Sequence, residues 1–158
     1  MVLKNHTKLE DLSLRQQNYI EAIAEVLEQQ GHARTSDIAR KLKVNKASVS
    51  EAISRLVEIG MVHRNGYEIE MTRRGVNVAL ELEHRHQTLR RFMVDTLEMD
   101  SAQADGAACR LEHSTSAALI DRLLVLENFM GQKDAANFKK AWRRFIKKHD
   151  VANRNGGD

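Results

Sequence analysis

Residues 34–71 read RTSDIARKLKVNKASVSEAISRLVEIGMVHRNGYEIEM, and most of the architecture follows from their spacing. Thr35 or Ser36 is read as the cap of a short helix that carries Ile38, Ala39 and Leu42. Lys43-Val44-Asn45 makes a brief turn. A longer helix follows from Lys46 to about Ile59, with Val49, Ile53 and Leu56 at steps of four and three, and Gly60 ends it. A short helix, a tight turn and a longer helix is the spacing of a helix-turn-helix. Met61-Val62 and Ile69–Met71 then flank Asn65-Gly66, and Asn-Gly between apolar runs is the strongest short hairpin signal. A two-stranded hairpin directly after a helix-turn-helix is a wing.

Upstream, Ser13 caps a helix that runs to about Gln30, with Ile20, Ile23, Ala24 and Leu27 at helical spacing and Gly31 as its stop. Downstream, a long helix is expected from Thr72 to about Leu97. Asp100 or Ser101 opens another, to about His113, and Ser114 or Ser116 opens the next, to about Met130. A last amphipathic helix spans about Lys133–Lys148, with Phe138, Trp142, Phe145 and Ile146 as its apolar stripe among lysines and arginines that could add phosphate contacts. The fold class is mainly α: a winged helix-turn-helix over residues 1–72, then an all-helical domain over residues 73–149. The first eight or so residues are expected to be loose, and the tail at 150–158 to be disordered.

Composition agrees. The chain has 158 residues, 42% hydrophobic, 30% charged and only 4% aromatic. It contains no proline, which argues against a many-turned sandwich or barrel. No apolar run reaches the roughly 18 residues a membrane span needs, and the start MVLKNHTKLEDL lacks the apolar core of a signal peptide. One cysteine cannot make an internal disulfide. The expectation is a cytoplasmic protein with a reduced thiol and no membrane partner. The net charge of +3 is uneven: residues 1–75 carry +2, residues 76–130 carry −4 and residues 131–158 carry +5. A basic start can approach a polyanion, and an acidic middle can hold cations or simply solvate helices.

Two groups of residues carry chemistry. A helix that enters the major groove needs small or polar side chains on its leading turns. Here those turns offer Asn45, Lys46, Ala47, Ser48, Ser50 and Glu51. Ala47 and Ser48 let the helix sit deep, and Ser48 and Ser50 can bond base edges or phosphates. Lys46 and Arg55 suit phosphates, and Arg64 and Asn65 at the wing tip suit phosphates or the minor groove. The second group is Cys109, Glu112 and His113, at i, i+3 and i+4 on one helical face. Thiolate, carboxylate and imidazole together suit a first-row transition metal better than magnesium or calcium. The same residues also fit a small buried cysteine and a solvated Glu-His pair. His84 and His86 on the long helix, beside Glu83, and Glu21 on the first helix, with Asn18 one turn earlier, are further possible partners.

Taken in order, YIEAI, SDIARKLKVNKASVSEAISRL, GMV with EIEMTRRG, RHQTLRRF and ACRLEH resemble the diphtheria toxin repressor family, over roughly residues 14–130. That family comprises metal-dependent transcriptional repressors, including iron regulators and manganese transport regulators. The chain ends short of the family's SH3-like third domain and so resembles its two-domain members. The resemblance implies metal ligation by His86, Cys109, Glu112 and His113, and by Glu21 as in the manganese regulators. Asn18 stands where the family has Met or Asp. Arg90 replaces a glutamate and cannot ligate. Asp105 replaces a histidine and could ligate still. Arg90 is also placed to pair with Asp105 or Glu21, a fixed charge in place of a metal. Cysteine at 109 is an iron-type feature and Glu21 a manganese-type one, and sulfur's softness puts Fe(II) first and Mn(II) second.

The resemblance further implies a homodimer built by the helices around 100–112 and 114–130, with Leu111, Ala118, Leu119, Leu123 and Leu126 as candidate interface. Its partner would be a palindromic double-stranded DNA operator, since a two-fold dimer reads two half-sites. No small-molecule substrate is expected. Metal bound by ligands from both domains would restrict the metal-free ensemble and raise DNA affinity. Three other readings compete: a metal-independent winged-helix regulator sensing an organic ligand or Cys109 oxidation, a thiol or metal enzyme using Cys109 with His113, and a protein-interaction module. The enzyme reading is the weakest, because the chain has neither a Gly-rich phosphate cradle nor a His-Glu-x-x-His helix.

Overall fold

The computed structural model describes residues 9–155, with side chains through His149. The expected loose start at residues 1–8 and the last tail residues, 156–158, lie outside the described residues. The chain forms two compact units, one through His84 and one from Arg85 onward. No helix among the described residues is long and apolar enough to cross a membrane.

The first unit contains α1 (Leu14–Gln30), α2 (Thr35–Leu42), α3 (Lys46–Glu58), β1 (Val62–Asn65), β2 (Glu68–Met71) and the first part of α4 (Arg73–Arg91). Ser13 caps α1 through a reciprocal pair: its hydroxyl accepts the Gln16 N–H, and the Gln16 side chain accepts the Ser13 N–H at 2.8 Å. Gly31, at φ 73°, closes α1 by donating its N–H to Leu27. The cap of α2 is Arg34 rather than the expected Thr35 or Ser36. Asp37 accepts the Arg34 N–H at 3.1 Å, and Arg34 pairs in an antiparallel bridge with Glu68. That bridge holds Arg34 extended, and the helix starts after it.

The hairpin is also offset from expectation. Asn65 pairs with Glu68, so the two-residue loop is Gly66-Tyr67 and Asn65 belongs to the strand. Of the loop pair only Gly66 has positive φ, at 61°, which matches a turn with glycine at its first central position. Ile20, Ile23, Val26, Ile38, Val49, Ile53, Leu56, Met61, Val62 and Ile69 form the core. Their helical and strand periods place them on the inner faces of their elements.

Thr72 fastens the wing to α4. Its hydroxyl donates to the Gly60 carbonyl at 2.7 Å and accepts the Gly75 N–H at 3.1 Å. Among the described residues, Gly75 is the one glycine whose missing side chain the packing requires, because a Cβ there would run into the Met61 carbonyl. Substitution of Gly75 by alanine is expected to destabilise the protein by about 2 kcal/mol, the order of an overpacked core site. A urea titration that leaves the midpoint unchanged would show that the backbone yields.

The second unit contains the end of α4, α5 (Ser101–Leu111), α6 (Ala117–Gly131) and α7 (Ala136–Asn155). The α-helix expected to reach Leu97 stops at Arg91, and a wider π turn covers Phe92–Thr96. Leu97 donates to the Phe92 carbonyl, Glu98 adopts φ 57°, and the Trp142 indole donates to the Thr96 carbonyl. The indole thus satisfies a carbonyl at the helix end. Asp100 caps α5 and Ser116 caps α6. The last helix begins with a 3-10 turn at Lys133–Ala135 and continues to Asn155, past the expected end at Lys148 and into the tail read as disordered. Its sequence holds no helix breaker before Gly156. Leu89, Met93, Ala104, Ala108 and Ile120 form this unit's small core, while Leu119, Val125 and Phe129 on α6 stay exposed.

Candidate metal centre and nucleic-acid interface

The second unit gathers titratable groups where the end of α4 meets α5. His86 and Arg90 are one turn apart on α4, and Asp105 and Glu112 are two turns apart along α5 and its cap. His86 lies between the two carboxylates, with Nδ1 at 2.7 Å from Glu112 Oε2 and Nε2 at 3.1 Å from Asp105 Oδ1. His113 Nε2 lies 3.4 Å from the other Glu112 oxygen. The Glu112 side chain is only 2% exposed. Arg85, itself buried, donates to the Thr115 carbonyl at 2.6 Å and secures the turn that follows Glu112-His113.

A buried carboxylate needs compensating positive charge, since leaving one unpaired costs several kcal/mol. Burial by itself favours the neutral His86 ring. The hydrogen bonds with Asp105 and Glu112 and the charges of both carboxylates outweigh it and raise its pKa. Burial lowers His113, which favours a neutral imidazole able to ligate. One buried carboxylate touching two imidazoles is a donor set that suits a divalent transition ion.

Arg90 pairs with Asp105 at 3.5 Å and donates to the Ser101 hydroxyl at 2.7 Å. The pairing with Asp105 is one of the two alternatives raised from sequence, and it places a fixed cation on that carboxylate. Cys109 is exposed, four residues after Asp105 and three before Glu112. His84 is exposed and outside this group. In the first unit Asn18 is exposed, and half-buried Glu21 lines a groove of about 480 Å³ with Glu25, Glu28, Met71, Val76 and Leu80.

The other candidate surface is the leading end of α3 and the wing. Asn45 caps α3 by accepting the Ser48 N–H at 2.7 Å, so its side chain is occupied by the helix start. Lys46, Ala47 and Glu51 are exposed, and Ser48 and Ser50 are half-buried. Val49, Ala52, Ile53 and Leu56 point into the core, so one helix face is anchored and the other is presented. Arg55 pairs with Glu51 at 2.7 Å, one turn away. On the wing Arg64 is exposed, while Asn65 is turned along the hairpin and donates to Glu70 at 2.8 Å. Tyr67, which sequence reading passed over, is 92% exposed at the tip. Its signal was its place directly after Asn-Gly.

Two family descriptions match this chain in tandem. Residues 11–68 match the N-terminal DNA-binding domain of iron-dependent repressors, and residues 72–134 match their metal-binding and dimerisation domain. The chain belongs to the iron-dependent repressor family. A helix-turn-helix-type transcriptional regulator of Methanocaldococcus jannaschii is 30% identical over 98 residues, 61% of this chain and 78% of that one. The helix-turn-helix-type transcriptional regulator MntR of Bacillus subtilis is 28% identical over 75% of this chain and 84% of its own length. A solved manganese-dependent transcriptional repressor in complex with manganese is 29% identical with a TM-score of 0.65. The alignment covers 72% of this repressor and 53% of the solved chain, so this chain spans about half of that relative's length. Members of the family are transcriptional regulators that bind DNA, bind metal and dimerise, and they are not enzymes.

The wing of this repressor gives a pH prediction. The Asn65 amide, and after it His63 at 2.8 Å, hold the Glu70 carboxyl below its ordinary range. A lowered carboxylate adds stability above its unfolded pKa and loses it as pH falls through the folded one. Asn65→Ala should therefore raise the Glu70 pKa, read from its side-chain carboxyl resonance. An unshifted titration would mean the amide bond does not form in solution.

Proposed function

We propose that this protein is a DNA-binding repressor of metal-ion homeostasis genes in the cytoplasm, with Fe(II) as its effector. The observation that carries the reading is the buried Glu112 carboxylate held against His86 and His113. A bound divalent cation would supply positive charge beside this buried carboxylate. Glu112, His113 and His86 are the proposed ligands within the second unit, with Cys109 adding a soft donor that favours Fe(II). Asp105, neutralised by Arg90, is proposed as a weak or absent ligand. Glu21 and Asn18 enter on the family resemblance alone, Glu21 as the stronger donor.

Lys46, Ala47, Ser48, Ser50, Glu51 and Arg55 are assigned to the major groove, with Asn45 as the cap that aims them. Arg64 and Asn65 are assigned to the backbone or minor groove at the wing. The dimer would read a palindromic operator, with the exposed faces of α5 and α6 as the interface. Metal raises affinity by narrowing the conformations open to the metal-free chain. Mn(II) is the second reading, favoured by the solved relative described as a manganese-dependent transcriptional repressor.

Anaerobic titration of the chelator-stripped protein with Fe(II), Mn(II), Co(II) and Zn(II), scored by binding to DNA from candidate operators, tests the proposal. Fe(II) is expected to tighten binding at least tenfold, and Cys109→Ala to remove that response. Equal action of Mn(II) with an indifferent Cys109→Ala would move the site to the carboxylates and imidazoles. No response to any metal would sink the sensor. In the same assay Ala47→Glu should cost about 2 kcal/mol or more of specific binding, the order of one good base-edge interaction. Its metal uptake should be unchanged. Normal operator binding by that variant would remove α3 from the groove.

A further inference from the structure

We propose that the outer face of α7 is a second nucleic-acid surface, one that binds the sugar-phosphate backbone of duplex DNA. The helix lies beyond residue 134, where the family match ends. The proposal rests on the reading of the protein as a DNA-binding regulator, and not on which metal it senses.

From Ala136 to His149 the helix carries six lysines and arginines and no acidic residue. Lys140, Arg144 and Lys148 follow one another at steps of four, and Arg143 and Lys147 form a second row beside them. All five are exposed. Steps of four place the charges about 6 Å apart along the axis. Such a rigid linear array of cations matches a linear polyanion better than a single small anion. Among the described residues Lys140, Lys147 and Lys148 have no acidic partner, and only Arg143 is drawn aside, to Glu98 at 2.8 Å.

The opposite side of α7 seats the helix. Phe138, Trp142, Phe145 and His149 form one stripe at helical spacing. The Trp142 indole donates to the Thr96 carbonyl, Phe138 meets Phe129 edge-on at 6.4 Å, and Phe145 stacks on Trp142. A helix that lies in a bilayer must free its apolar side for lipid. Here Trp142 is seated on the protein and Phe138 meets Phe129, while Phe138 and Phe145 stay 52% and 56% exposed, so the apolar side is only partly covered and the case for DNA rests on the two regular rows of cations. A polyanion already bound by the protein is held at high local concentration, which favours the same DNA as the partner.

The test is a salt titration of binding by the full chain to a long random-sequence duplex, and to operator DNA in the presence of metal. The variant combines Lys140→Gln, Arg144→Gln, Lys147→Gln and Lys148→Gln. The slope of log affinity against log salt should fall by about 0.9 for each phosphate no longer neutralised, so by about three to four units for four phosphates. The ratio of metal-loaded to metal-free operator affinity should not change. A variant with Lys140→Arg, Lys147→Arg and Lys148→Arg should keep the wild-type slope. An unchanged slope in the Gln variant overturns the proposal, as does an equal fall in the Arg variant, which would indicate packing. Weakened binding to phosphatidylserine–phosphatidylcholine vesicles with an intact DNA slope would reassign the face to membranes. Failure of the wild-type protein to bind any DNA would defeat the functional reading itself, a different result from a variant that merely matches wild type.

Discussion

The chemistry of the second unit depends on one buried carboxylate. Glu112 is almost wholly removed from water, and its two oxygens face His86 and His113. Burial works against a charged His86 ring, but its hydrogen bonds to Asp105 and Glu112 and the charges of both carboxylates raise its pKa, with Asp105 on its far side. The arrangement is a small charge cluster, and in the proposed function a divalent cation would take the place of its positive member. It explains why these residues sit on two different helices: α4 brings the imidazole and α5 brings the carboxylates, and the buried Arg85 and the Thr115 turn fix their meeting. Ligands must lose protons to bind a metal, so the proposed site would link metal affinity to pH.

The same unit shows how one substitution redirects a neighbouring carboxylate. Asp105 is within reach of His86, yet it also pairs with Arg90, which is anchored to Ser101. A guanidinium cannot be deprotonated and cannot ligate, so it supplies permanent charge where an acidic residue would attract a cation. The presented surface of the first unit follows a different constraint. Val49, Ile53 and Leu56 bury one face of α3, and its leading turns present Lys46, Ala47, Ser48, Ser50 and Glu51, mostly polar, on the other. The bridge from Arg34 to Glu68 and the Thr72 clamp tie wing and helices into one piece. Such rigidity is what lets a few side chains be aimed at a groove.

Helix existence was legible because the apolar period and the caps agree: Ser13, Asp100 and Ser116 each cap the helix they precede. The helix-turn-helix and wing were legible for the same reason. Boundaries set by remote partners were not. Arg34 caps α2 only because a strand 34 residues later holds it extended. The hairpin loop is Gly66-Tyr67 because the strand pairing, not the Asn-Gly dipeptide, sets the register. The π turn at Phe92–Thr96 has no composition signal, and its Thr96 carbonyl is met by Trp142, 46 residues away.

Local spacing and side-chain chemistry were enough to specify the order of helices and strands, the core faces and the donor types at 86, 105, 109, 112 and 113. The spacing of Cys109, Glu112 and His113 marked one helical face as worth attention. Which groups meet was left to tertiary packing: Glu112 with both imidazoles, Asp105 with Arg90, Asn65 with Glu70, and Cys109 at the surface. Burial and cross-helix distance decide the charge each group holds, and neither is a function of spacing along one chain segment.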